Sequence, residues 1–167
     1  EELDLDVTPP FYIRSLERAS HWTSADREAI VQSVFPVDSD GTISVWLVTN
    51  GADLKQIAIA LNSCRVASNP QGGSLTQKLV FVAIRRSEFE SIVLEHTLGG
   101  TPCVDANKLH FDARIECPSQ VHKLVDKLVV ADRKIFKLNK TRMRAAQDHC
   151  RERGCYSLGS NACDCEQ

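Results

Sequence analysis

Two stretches of this chain are apolar on both faces: ISVWLVT, 43–49, and LVFVAI, 79–84. A strand with one face in water alternates apolar and polar residues, so strands like these must be covered on each side. That requirement limits the fold more than any other feature, because it asks for a central sheet with further structure layered on it. Each apolar strand is followed by a turn and then by helical spacing. Asn50-Gly51 breaks the first, and Leu54, Ile57, Ala58 and Leu61 then fall on one helical stripe. After the second, SEFESIVLEHTLGG reads as a helix, with Ser87 and Glu90 as a capping box and Gly99 as its stop. His96 falls on the inward stripe of that helix. LHFDARI, 109–115, alternates and reads as a third strand with one wet face, at a sheet edge, with His110 on the wet side. Pro118 then opens a helix that turns Val121, Leu124, Val125 and Leu128 inward.

Upstream, FYIRSLERA, 11–19, reads equally as a short strand or a helical turn. Residues 23–35 read as a helix capped by Thr23 or Ser24, and PVDSDG as the turn that ends it. Three strand–turn–helix units in series predict an α/β domain of two or three layers with a mainly parallel central sheet. The alternative is an α+β domain with an antiparallel sheet, in which GGTPCVDAN adds a hairpin partner to the third strand. The chain divides into an acidic arm over 1–10, a core over 11–130, and a basic helix with a cysteine-rich tail over 131–167. With 167 residues, 43% of them hydrophobic, the core needs no disulfide or metal to fold.

A parallel sheet would place ligands beyond the carboxyl ends of its strands, where helix N-termini offer free N–H groups to anions. The turns there are TNGAD, RRSEF and ECPSQ. Asn50 and Gly51 allow close backbone approach, Arg85 and Arg86 supply cations, and Ser87 supplies a hydroxyl, which suits a phosphate or carboxylate ligand. The nucleotide fingerprints GxGxxG and GxxxxGK[ST] do not occur. No catalytic residues are assigned. Cys117 would feel the N-terminus of the helix that follows it, and His122 lies five residues on, yet a capping cysteine is usually structural.

Four of the seven cysteines lie near the end: Cys150, Cys155, Cys163 and Cys165. Four thiolates can hold zinc in a tetrahedron, although the spacing is not that of paired C-x2-C knuckles, and disulfides or free thiols compete with that reading. Before them, residues 132–153 carry eight cations, among them Arg133, Lys134, Lys137, Lys140, Arg142 and Arg144, against three carboxylates, within a chain of formal net charge −2. Such a face suits an acidic protein partner, or nucleic acid through its phosphates. No apolar run approaches the roughly 18 residues of a membrane span. An odd cysteine count at low density predicts a reducing, cytoplasmic setting. The expectation is a non-enzymatic interaction module whose basic helix and tail contact the partner. The alternatives are an enzyme or sensor for a small anion, and a zinc-stabilised nucleic-acid-binding protein.

Overall fold

The segment FYIRSL resolves into a strand, β1, Phe11–Leu16, and lies in the interior of the sheet. Phe11 and Ile13 point to one face and Tyr12 and Leu16 to the other, so neither face of β1 could be left in water. The computed structural model describes residues 8–16, 27–35, 37–38, 40–68, 79–98, 104–130, 135–138 and 141. After β1 come α1 (Arg27–Val34), β2 (Thr42–Val48), α2 (Gly51–Ser68) and β3 (Leu79–Ile84). A 3-10 turn, Arg86–Phe89, leads to β4 (Val93–His96), α3 (Val104–Asn107), β5 (His110–Arg114), α4 (Pro118–Val130) and β6 (Ile135–Leu138).

The strand order is β4-β5-β2-β1-β3-β6, and every neighbouring pair is antiparallel. The expected mainly parallel sheet is therefore wrong, and the architecture is α+β. The helices α2 and α4 do join strands that run the same way, but other strands separate them. β1 lies between β2 and β3, while β2, β1 and β3 all lie between β5 and β6. Hydrophobic period reports that a strand is covered; it carries no information about which strand slots in beside it.

Two layers cover the sheet. On one face Tyr12, Leu16, Ile43, Val45, Val82, Ile84 and Ala113 pack with Ile30 of α1 and with Val121, Leu124, Val125 and Leu128 of α4. On the other, Phe11, Ile13, Trp46, Val48, Phe81 and Ala83 are buried on the side of α2, which contributes Leu54, Ile57 and Ala58 and packs on β2 and α3. Burying one such side chain contributes about 1.5–3 kcal/mol, so the interior strands β1, β2 and β3 carry most of the core.

Three further expectations are corrected. The helix expected over SEFESIVLEHTLGG does not form. Glu88 accepts the Arg85 N–H at 2.7 Å and closes one turn, then Glu90 takes φ +50° and ends it, and the β-branched Ile92-Val93 continue into β4. Phe89 and Ile92, spaced as for a helix, are both buried under α4. The third strand, β5, is not an edge but lies between β4 and β2, and His110 on its supposedly wet face is buried. The basic segment is not helical throughout, since residues 135–138 form β6 against β3 and so belong to the core sheet.

Candidate functional site

The polar chemistry of the described residues concentrates on one face of β4, β5 and β2. The register sets Glu95 directly opposite Asp112, two like charges that repel across an antiparallel pair. Each is relieved by a different neighbour. Arg114 forks Glu95 with two donors, at 3.2 and 2.7 Å, and holds that carboxyl below its usual range. Asp112 accepts the Thr97 hydroxyl at 2.9 Å and the Ser44 hydroxyl at 3.5 Å.

Two histidines sit beside this cluster at the foot of the β4–β5 connection. His96, ending β4, has Nε2 2.6 Å from the Lys108 carbonyl on the β5 side. His110, opening β5, has Nδ1 3.1 Å from the Thr97 carbonyl on the β4 side. Each imidazole therefore donates to the backbone leading from the other strand. The His96 ring lies 5.0 Å from Phe111, and the His110 ring 4.5 Å from Trp46. Burial pushes the His110 imidazole down; Asp112, with its oxygen 3.5 Å from Nε2, opposes this without overcoming it. The Ser44 hydroxyl points at Asp112 and not at either imidazole, so Ser44, Asp112 and His110 are not arranged as a nucleophile, its base and an orienting acid.

The strand-end turns are split between the two ends of the sheet. Because β2 and β3 run the same way on either side of β1, Asn50-Gly51 and Arg85-Arg86-Ser87 reach the same end, roughly 10 Å apart at the usual strand spacing. The turn after β5 lies at the opposite end. Asn50 caps α2, its Oδ1 accepting the Asp53 N–H at 3.0 Å, while Asp53 takes the Thr49 N–H at 2.8 Å and places its own carboxylate at that helix start. Arg85, Arg86 and Ser87 are exposed, and Arg86 lies close enough to Tyr12 to draw its phenol down, although burial of that phenol dominates and raises it.

Cys117 is exposed at the start of α4, with Sγ 3.0 Å from the Ser119 hydroxyl, which lowers the thiol below its usual range. His122 is committed elsewhere: Nδ1 meets the Pro118 carbonyl at 2.9 Å and Nε2 meets Glu28 of α1 at 2.8 Å. The expected zinc ligands Cys150, Cys155, Cys163 and Cys165 lie outside the described residues, as do Arg133, Lys134, Lys140, Arg142 and Arg144. Lys137 lies in β6, in register with Val80. Among the described residues no three His, Cys, Asp or Glu side chains gather as a metal site, and no helix is long and apolar enough to cross a membrane.

The expectations from sequence did not include the pair of histidines, because 87–98 reads as a helix and only a strand brings His96 beside the start of β5. The β-branched run Ile92-Val93 is the signal that marks the strand. In comparisons with protein-family models, curated proteins and solved structures, no match to this chain was found.

Proposed function

We propose that the chain is a binding module that engages an acidic protein partner through β6 and the basic segment that contains it. The observation that carries this is the position of β6. Among the described residues it pairs on one side only, with β3, so residues 135–138 of the basic run form an edge strand of the core sheet. An open edge offers main-chain donors and acceptors to an added strand, and cations along and beyond it favour an acidic one. The polar side chains elsewhere support binding over catalysis as the role, since Asp112, Asp53 and His122 are each engaged in holding strands or helices together.

The test uses a labelled polyglutamate peptide and a single-stranded RNA oligonucleotide of equal charge. Polyglutamate should bind the full chain with an affinity that falls with salt. Charge reversal at Lys137, Lys140 and Arg142 together should weaken binding at least tenfold, with the far-ultraviolet spectrum unchanged. Binding of RNA but not polyglutamate would replace the acidic-protein reading with the nucleic-acid one. Binding of neither would remove the basic segment as the contact surface.

A second reading keeps a small anionic ligand at Arg85 and Arg86, favoured by the delivery of both strand-end turns to one end of the sheet. It expects inorganic phosphate to raise the melting temperature of the native chain and not of the chain with both arginines changed to alanine. Equal shifts in the two proteins would dispose of it.

A further inference from the structure

The reciprocal histidine contacts at the foot of β4 and β5 have a consequence for an edge strand. Among the described residues β4 is a terminal strand of the sheet and pairs with β5 alone. It is short, Val93–His96, and Val93 is half exposed. Beside the His96 contact to the Lys108 carbonyl and the Thr97 hydroxyl to Asp112, two of its ties to β5 at this end join Thr97 and His110: the Thr97 N–H donates to the His110 carbonyl at 3.0 Å, and the Thr97 carbonyl accepts from His110 Nδ1 at 3.1 Å. The His110 ring is only 5% exposed, and its Nε2 is buried without a hydrogen bond among the described residues.

We infer that His110 is an acid-sensitive clasp: neutral, it holds β4 against β5, and protonated, it releases that edge strand. A second proton would put a full charge on a ring packed 4.5 Å from Trp46, at an Nε2 that is buried from water. The groups facing it do not offset that cost. From β5, Asp112 is the one carboxylate in reach, and its oxygens already accept the hydroxyls of Thr97 and of Ser44 from β2. From β4, Glu95 is taken by Arg114, and His96 is a like charge whenever it too is protonated. From α3 and its end, Asp105 and Lys108 pair with each other at 3.0 Å. The imidazolium can regain water only by leaving its place, and the ring is tied to Thr97, so Thr97 and the end of β4 come away with it. The neutral preference of this ring agrees with that direction: the stability it supports is intact above the ordinary histidine pKa of about 6.5 and is lost as pH falls from there toward the lower folded value.

The experiment is amide hydrogen exchange on the full chain at pH 7.5 and 5.5, corrected for the intrinsic pH dependence of exchange. Protection of the Thr97 amide should fall about tenfold at the lower pH, the factor that one unit of differential protonation supplies, while amides of β1 and β3 keep theirs. In H110Q the Thr97 protection should no longer depend on pH. Equal wild-type protection at both pH values overturns the inference, and so does a fall that survives in H110Q. If that variant does not fold, the wild-type chain still decides. The midpoint of Thr97 opening must coincide with the titration of the His110 ring carbon resonance, and separate midpoints overturn the clasp.

Discussion

Gly41 shows how much a single position can be asked to do. It takes φ +81° in the turn before β2, its carbonyl accepts the Ile115 N–H at 2.9 Å, and its N–H donates to the Asp38 carbonyl at 2.9 Å. Asp40 completes the turn by accepting the N–H and hydroxyl of Thr42 at 3.2 and 2.7 Å, which keeps that carboxyl below its usual range. A Cβ at Gly41 would meet only the Ile115 carbonyl, at an ordinary 3.7 Å, so the cost of substitution is conformational. Gly41→Ala should therefore destabilise the chain by about 1–2 kcal/mol, measured by urea unfolding, with no change in the m-value. Asp-Gly is legible in sequence as a turn because the left-handed backbone it needs is a property of residue type. The roles of Arg14 and His110 were not legible. Arg14 crosses from β1 to donate to the Ser44 carbonyl at 2.9 Å, past the point where the β1–β2 ladder ends at Ile13, and only the pairing of those strands creates that vacancy. His110 alternates like a wet residue and is buried because β4, read as helix, covers the edge it was expected to occupy.

The pairing of α1 with α4 is the clearest case at the level of elements. His122 and Glu28 join the two helices at 2.8 Å, beside the exposed Arg27–Asp126 ion pair. The Pro118 carbonyl and Glu28 raise the His122 imidazole, and the His122 and Gln32 side chains lower Glu28. A raised histidine contributes stability in full below about pH 6.5 and loses it as pH rises through the folded value; a lowered carboxylate contributes above about pH 4.5 and loses it as pH falls. The pair should help most between those limits. The stability difference between wild type and H122Q, from urea melts at pH 5.5 and 8.5, should be positive at the first and near zero at the second. The helices α2 and α4 were readable from their apolar stripes, and so was the strand character of β2 and β3. The strand β6 was not, because Ile135 and Leu138 sit at a spacing that fits a helix as well as a strand, and only the free edge of β3 decides between them. That edge also changes where the core ends. A chain stopped after Val130 lacks β6, one of the two partners of β3, and should unfold at lower urea and aggregate, whereas one stopped after Leu138 should keep a cooperative transition close to that of the full chain. Equal behaviour of the two truncations would show that β6 adds nothing to the sheet.

Across the whole molecule, strand order decides which segments meet. The basic segment reaches an edge because β6 follows β3, the arginine turn and the asparagine turn share one end because β1 separates two strands of like direction, and the histidine clasp exists because β4 folds back on β5. Local sequence could report covered strands and amphipathic helices, but both pairing partners of β1 lie tens of residues downstream of it, and such contacts leave no periodic trace in the chain. The most direct measurement is the cross-strand proton contact map from nuclear Overhauser spectra of the native chain. Contacts between α-protons of antiparallel type are expected on both sides of β1, running from Tyr12 with Ile84 to Leu16 with Val80 on one side and from Phe11 with Val48 to Ile13 with Trp46 on the other. Direct contacts between β2 and β3 in parallel register, with β1 absent from between them, would contradict this strand order.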